Sequence, residues 1–172
     1  MPDLTLPIVK TLCRRSARPY PRVTTLDFLE RCPERIADCY RYWNGKRGDR
    51  AMPGRADIDP VDIKHLLPGV LLVDVHDAAH RFTYRLAGTA EVEARGYDPT
   101  GRDVGSSFFG SSRDEVLINY RYVVAEKSFV YDEDSMVSPN QRVRENGTLL
   151  LPLSADGSSV NMVLVYAEYL RL

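Results

Sequence analysis

The 172-residue sequence has no apolar run that approaches the roughly 20 residues of a membrane span. It also lacks a charge excess that would favour nucleic acid, because 23 Lys and Arg residues face 24 Asp and Glu residues. Cysteine is scarce: Cys13, Cys32 and Cys39 form an odd, clustered set without CxxC spacing. Free thiols of this kind are typical of a reducing compartment. The sequence therefore predicts a cytoplasmic protein with no nucleic-acid or membrane partner.

Motifs of common enzyme classes are missing as well. No Ser lies in a G-x-S-x-G elbow, and there is no Gly-rich phosphate loop. The acidic cluster Asp57, Asp59 and Asp62 has a structural explanation, since Asp59 precedes Pro60 and suits a helix cap. We therefore expect no enzyme and no catalytic residue. An enzyme on a cone-shaped fold of the ketosteroid-isomerase kind is a further alternative, which a carboxylate buried in a cavity would support.

One group of residues could suggest a metal site. His76 and His80 lie close in sequence to Asp74 and Asp77. A zinc site needs ligands that converge on one point. These residues flank a predicted hairpin turn and alternate between the two faces, so we expect a solvated turn and no metal.

The chain divides into three predicted parts. Residues 1–23 carry five basic residues against one acid and several prolines, which indicates a basic, flexible tail. Residues 24–68 contain helical patterns and form a predicted N-terminal helical extension. Residues 69–172 form the predicted core domain. With 44% hydrophobic residues, the chain has enough apolar material for one core.

The core domain has strand patterns at both ends and helices between them. Strands are predicted over 70–75, 81–87, 128–132, 148–153 and 159–170, with turns at 145–147 and 155–157. One helix ends at Gly96, and another begins at Ser112 with Glu115 completing a capping box. The predicted class is α+β: a five-stranded antiparallel sheet with helices packed on one face and a cavity beneath them.

Three stretches of the sequence carry a resemblance to a known family. They are Tyr42-Trp43 with PGRADIDP at 53–60, FTYRLAGT at 82–89 with GYDPTGR at 96–102, and LPLSADG at 151–157. In this order and spacing the chain resembles the single-domain PAS-like family found mainly in alphaproteobacteria. The resemblance implies a PAS-like fold and a sensory or signalling role, and it carries over no catalytic residues.

The cofactors of PAS sensors can be checked against the residues present. Light-sensing flavin chemistry needs a Cys on a helix inside the fold, but all three Cys precede the first strand of the predicted core domain. Haem generally needs an axial His on the helix that faces the sheet, and residues 112–126 contain none. We therefore expect neither cofactor and leave the ligand unidentified.

The first functional hypothesis is a small-molecule sensor that relays binding through protein contacts. Tyrosine buries its ring while its hydroxyl can orient a polar ligand, although such rings can also simply fill a core. Arg102 is the expected anion anchor, since strand alternation turns Arg85 away from the cavity. The predicted ligand-binding residues are Tyr84, Tyr97, Arg102, Tyr120, Met136, Leu151 and Met162.

The second hypothesis is a ligand-free protein-interaction or dimerisation module. Ile36, Tyr40 and Trp43 lie on one apolar stripe of a predicted helix. Aromatic residues of this kind dominate interface energetics, so the stripe is a candidate surface for a homodimer or for a signalling protein such as a histidine kinase. Its other possible role is to pack the helix onto its own sheet.

Overall fold

The computed structural model describes residues 19–77 and 81–172. Its strands are β1 (Arg22–Val23), β2 (Val70–His76), β3 (Arg81–Ala87), β4 (Val130–Asp132), β5 (Val143–Leu153) and β6 (Met162–Arg171). Its α-helices are α1 (Glu34–Arg47), α2 (Thr89–Arg95) and α3 (Arg113–Glu126). The predicted α+β class is confirmed. Among the described residues no helix combines the length and the apolar character of a membrane span.

All strands join one antiparallel sheet in the order β1-β4-β5-β6-β2-β3. The five predicted strands are present, and β1 adds a sixth. Arg22 pairs with Asp132 of β4, so the end of the predicted basic tail is part of the sheet. For these residues the expectation of a flexible tail is wrong. Residues 1–18 of that tail lie outside the described residues.

The central strands are buried on both faces. Leu150 of β5 and its partner Val165 of β6 face α2 and α3, and alternation turns Leu149 and Tyr166 to the opposite face. Helix α1 covers that opposite face. Its Tyr40 packs edge-to-face against Phe28, whose ring centroid lies 5.0 Å from that of Tyr131, the strand partner of Leu149. The sheet therefore separates the N-terminal helix from α2 and α3.

Two parts of the predicted N-terminal helical extension, near Leu26 and between Pro60 and Pro68, do not form α-helices. Residues Leu26–Glu30 form a 3-10 helix, and residues 60–66 form consecutive turns that lead into a 3-10 turn at Leu67–Gly69. Pro68 removes an N–H donor and disfavours α-helical geometry at the residue before it. The segment between Pro60 and Pro68 therefore ends in a 3-10 turn and does not continue as an α-helix.

The Glu145-Asn146-Gly147 sequence was predicted to be a hairpin turn, and that prediction is wrong. Strand β5 continues through it, with a register shift between Glu145 and Thr148 against β6. Gly147 has a φ of 96°, a left-handed conformation that suits a β-bulge as well as a hairpin turn. The bulge keeps Glu145 inside the sheet, opposite Tyr169.

A second irregularity lies between β2 and β3. Leu72 pairs with Leu86, but the next residue, Val73, pairs with Tyr84. This register shift interrupts the alternation of β3, so Tyr84 is buried while Leu86 is 44% exposed. Strict alternation would turn Leu86 to the same face as Phe82 and Tyr84, and the register shift explains why Leu86 is exposed.

The outer edge of β3 is covered by the chain that follows α2. The N–H of Tyr84 donates to the carbonyl of Arg102 at 3.0 Å, and the N–H of Gly101 donates to the carbonyl of Tyr84 at 2.7 Å. The N–H of Val104 donates to the carbonyl of Phe82 at 2.9 Å. These bonds occupy main-chain groups that an edge strand would otherwise present to solvent.

Candidate functional site

A cavity of about 40 Å³ lies between the sheet and helices α2 and α3. Part of its wall is apolar and comes from the central strands, including Leu150 and Val165. The rest is polar. The carboxyl groups at the wall are those of Glu91, Asp132, Asp134 and Glu145, with one guanidinium from Arg95. The tyrosines at the wall are Tyr20, Tyr84, Tyr120 and Tyr169. The site is therefore a partly open cavity with a mixed apolar and polar wall.

Helix α2 places Glu91 and Arg95 on its inner face, four residues apart. Arg95 Nε lies 3.4 Å from Glu91 Oε2, and both side chains are almost fully buried. The other Arg95 nitrogens donate to the carbonyl of Ser107 at 2.7 Å and to the hydroxyl of Tyr84 at 3.3 Å. The guanidinium also lies over the rings of Tyr84 and Phe109. Each nitrogen of Arg95 is thus already bound within the chain.

The second oxygen of Glu91 is unsatisfied. Oε1 is buried and has no hydrogen-bond partner among the described residues. Burial raises the pKa of Glu91 above its usual range, against the opposing effects of the Arg95 charge and of hydrogen bonding to this carboxyl group from Tyr169 and Arg95. A buried acceptor without a donor lowers the stability of the fold. A hydrogen bond from a ligand or a water molecule to this atom would therefore be especially favourable.

A second carboxyl group, from Glu145, enters the cavity from the bulge in β5. Thr148 Oγ1 donates to Glu145 Oε1 at 2.5 Å. Part of the residue remains accessible, while burial of the carboxyl group raises its pKa to about 8, with a further rise from the Glu91 charge. At neutral pH the proton is therefore largely retained.

The N-terminal segment contributes Tyr20 to another part of the cavity wall. The Tyr20 hydroxyl and Asn119 Nδ2 each donate to Asp132 Oδ2 at 2.7 Å. Arg22 donates to Asn119 Oδ1 at 2.5 Å and to Glu115 Oε2 at 2.8 Å. Burial raises the pKa of Asp132, and these hydrogen bonds oppose the rise. The segment before β1 is thus tied to α3 and β4 at the cavity wall.

The predicted ligand-binding residues fall into two groups. Tyr84, Tyr120 and Met136 line the cavity. Leu151 and Met162 do not: they are buried, one residue away in sequence from positions that face α2 and α3, so alternation directs them to the opposite face.

Two further predicted ligand-binding residues lie on the surface. The guanidinium of Arg102 lies 4.7 Å from the ring centroid of Tyr97, and both residues are exposed. Neither residue lines the cavity, and the guanidinium at the cavity wall belongs to Arg95. Arg85 faces outward as predicted and pairs with Asp74 at 2.8 Å. Arg102 is therefore not placed to anchor an anion in this cavity.

The predicted interface residues are part of the core. Ile36, Tyr40 and Trp43 are buried by their own sheet, and Trp43 Nε1 donates to the carbonyl of Pro152 at 2.9 Å. The side chains expected to contact a second protein are thus inaccessible, because they cover the outer face of β5 and β6. This placement excludes the three residues as a docking surface in the described conformation.

Sequence reasoning missed Glu91, Arg95 and Glu145. An i, i+4 pair of opposite charge is typical of an exposed helix face. A signal existed, since the α2 sequence TAEVEAR contains a single large apolar residue and must bury other side chains to pack. Glu145 was missed because residues 145–147 were predicted to form a turn and not part of a strand.

The remaining acidic and histidine residues have structural contacts. Asp57 accepts from the N–H of Gly54 at 2.7 Å, Asp59 accepts from the N–H of Val61 at 2.9 Å, and Asp62 pairs with Lys46 at 3.0 Å. His76 Nε2 lies 2.5 Å from Thr83 Oγ1. His80 lies outside the described residues. Within residues 19–77 and 81–172, no three His, Cys, Asp or Glu side chains are grouped to hold a metal.

Comparison with known proteins identifies the fold. The family model for the PAS domain matches residues 33–166, more than half of the chain. No curated protein matches the sequence. A sensory box sensor histidine kinase from Vibrio cholerae is 11% identical, with a TM-score of 0.44, and the match covers 65% of this chain and 91% of that one.

A second solved structure is an RNA-binding light-oxygen-voltage receptor. It is 15% identical, with a TM-score of 0.43, over 67% of this chain and 35% of that one. The match thus spans about a third of the receptor chain. The family match covers α2, α3, nearly all of α1 and most of the sheet, and on this basis the chain belongs to the PAS domain family.

Proposed function

We propose that this protein is a sensory and signalling domain in which a small molecule occupies the cavity beneath α2 and α3. Membership of the PAS family supports the sensory role. The observation that carries the proposal is the unpartnered, buried Oε1 of Glu91 at the cavity wall. An unmet buried acceptor costs about 1–3 kcal/mol, which a donor on a bound molecule would recover.

The signal would leave through the N-terminal segment. Tyr20 lines the cavity and belongs to the segment that continues into β1. A ligand that competes for the Asp132 carboxyl would weaken its bond with Tyr20 and loosen the segment. Residues 1–18 of the predicted basic tail precede Tyr20 in the sequence, so a change here would alter how that part of the chain is presented to another protein. A cytoplasmic signalling protein such as a histidine kinase, or a second copy of the chain, is the proposed recipient.

Two alternatives make different demands on the site. A ligand-free interaction module would keep the cavity empty or hydrated, with docking through surfaces other than the buried stripe of α1. An enzyme of the ketosteroid-isomerase kind requires a buried carboxyl group in a cavity, and Glu91 and Glu145 meet that condition. However, substrate pockets usually measure about 300–1,000 Å³. A cavity of about 40 Å³ favours a small ligand over a ketosteroid-like substrate.

Native mass spectrometry of the freshly purified full chain tests the proposal. We expect a reproducible mass excess that disappears after denaturation. The variant Ala167→Val adds two methyl groups at the cavity wall and should reduce the bound fraction. Ala125→Val, on the exposed side of α3, is the matched control and should retain the wild-type fraction.

Two other results would support the alternative functions. A clean apo mass, unchanged after incubation with a metabolite extract, would support the ligand-free interaction module, particularly if the protein were chiefly dimeric. Turnover of a compound from that extract, abolished by Glu145→Gln, would support the enzyme.

A further inference from the structure

We propose that the ligand is a small organic cation whose N–H groups are accepted by the carboxyl groups of Glu91 and Glu145. This inference rests on the proposed function above, because it assigns a chemical class to the occupant of the same cavity. It replaces the anionic ligand that an Arg102 anchor had implied.

The charges at the cavity wall favour a cation. Four carboxyl groups face one guanidinium, that of Arg95. Its nitrogens are already engaged by Glu91, the Ser107 carbonyl and Tyr84. An anion would therefore meet a guanidinium whose charge is already paired with Glu91, among an excess of carboxyl groups.

The hydrogen-bonding groups of the cavity wall also favour a cationic ligand. Oε1 of Glu91, in a residue only 1% exposed, needs a donor and has none among the described residues. The Asp132 oxygens, in contrast, are occupied by Tyr20, Asn119 and the N–H of Asp134. An ionised carboxylate only accepts hydrogen bonds, so Glu91 and Glu145 would both accept from an ammonium or amidinium group.

Aromatic rings complete the site. Tyr84, Phe109, Tyr120 and Tyr169 all line the cavity. The Arg95 guanidinium already lies 4.7 Å from the ring centroid of Tyr84 and 5.4 Å from that of Phe109. These rings thus accommodate positive charge, which is attracted to aromatic faces. The cavity volume of about 40 Å³ limits the cation to a few non-hydrogen atoms.

The ionisation of Glu145 gives binding a pH signature. Its carboxyl group is largely protonated at neutral pH, so a cation that pairs with the carboxylate must displace the proton. Affinity should therefore rise with pH as this proton becomes easier to remove. The other titratable groups facing the cavity belong to Tyr20, Tyr84, Glu91, Arg95, Tyr120, Asp132, Asp134 and Tyr169.

The test uses ethylammonium chloride, with ethanol and sodium acetate as neutral and anionic probes of similar size. Isothermal titration calorimetry and thermal unfolding are measured on the full chain at constant ionic strength. We expect ethylammonium alone to raise Tm, with an affinity at least tenfold higher at pH 9 than at pH 6. Glu91→Gln should reduce the affinity at least tenfold. Glu93→Gln, two residues away on the more exposed side of α2, should leave it unchanged.

The variants and probes separate the two proposals. If Glu91→Gln fails to fold, Glu145→Gln must show the loss of affinity and of its pH dependence. If acetate or ethanol binds and Ala167→Val weakens that binding, the proposal of a cationic ligand is wrong. The proposal of a ligand-binding sensory cavity would then still stand. Ethylammonium binding that neither carboxyl variant weakens would overturn the assignment to these residues. No response to any probe, together with a clean apo mass, would overturn both proposals.

Discussion

The indole N–H of Trp43 donates to the main-chain carbonyl of Pro152 at 2.9 Å, and this buried hydrogen bond joins α1 to the sheet. Pro152 lies within β5 opposite Val163, although proline cannot donate to a strand ladder. Strand β4 pairs with β5 only as far as Leu150, so the missing donor is beyond the end of β4. The carbonyl of Pro152 is therefore bonded by a side chain from the helix above it.

Replacement of Trp43 should destabilise the fold through this bond. Trp43→Phe leaves the Pro152 carbonyl without its donor and removes part of a buried ring. We expect a loss of about 2–3 kcal/mol in the free energy of unfolding, measured by urea denaturation. Tyr40→Phe is the matched control, since no hydrogen bond of the Tyr40 hydroxyl is found within the described residues. A Trp43→Phe loss no larger than that of the control would contradict the assigned role.

Stability should depend on pH through Glu145. Its folded pKa of about 8 lies above the usual value near 4.5, so between these values the folded chain holds a proton that the unfolded chain has lost. Stability from this group is fully present below about pH 4.5 and declines as pH rises towards 8. Glu145→Gln should remove the decline and gain roughly 1–3 kcal/mol on the wild type between pH 5 and 8.

Urea denaturation at several pH values measures that gain. Glu126→Gln, at the exposed end of α3, controls for the loss of one carboxylate. If the difference between Glu145→Gln and the wild type stays flat from pH 5 to 8, Glu145 is not the buried acid described above.

Two glycines should respond in opposite directions to alanine. A Cβ on Gly88 would lie 2.3 Å from the carbonyl oxygens of both Leu67 and Pro68, so Gly88→Ala should cost more than about 2 kcal/mol. Gly45 lies in α1, and a Cβ added there would meet no atom within 4 Å, so Gly45→Ala should stabilise by about 0.5–1 kcal/mol. Paired thermal-unfolding measurements test both signs together.

Arg22 should hold the N-terminal segment on the sheet. Its guanidinium contacts Asn119 and Glu115 of α3, and Asn119 is only 3% exposed. Arg22→Ala should lower stability by about 1–2 kcal/mol and speed amide exchange in β1. Arg121→Ala, on the exposed side of α3, should do neither. Equal exchange rates in β1 for the two variants would show that other contacts hold the segment.

Most of the helices and strands could be predicted because helix caps and alternating strand patterns are encoded by residues close together in sequence. The glycine cap at Gly96 and the cap of α3 at Ser112 appear where expected, with the Glu115 N–H donating to Ser112. The Glu115 carboxylate instead pairs with Arg22, a residue far away in sequence. The bulges at Glu145 and Leu72 also depend on register against partner strands. Such long-range pairings leave little trace in a single sequence.

The site was only partly predictable for a related reason. Tyr84 and Tyr120 were identified because their ring and hydroxyl suit a cavity wall. Leu151 was placed on the wrong face because one residue of register decides which side a strand residue faces. Glu91 was missed because a helical Glu–Arg pair is usually exposed, and only tertiary packing buries this one.

The covered edge of β3 limits how the protein can associate. Residues 101–104 already satisfy main-chain groups between Phe82 and Tyr84, and β1 at the other end of the sheet contains only two residues. Neither edge offers a long template on which a further strand could grow, a feature that protects proteins against aggregation. A partner would therefore recognise side chains, so the specificity of docking would be encoded in surface residues that can change without disturbing the sheet.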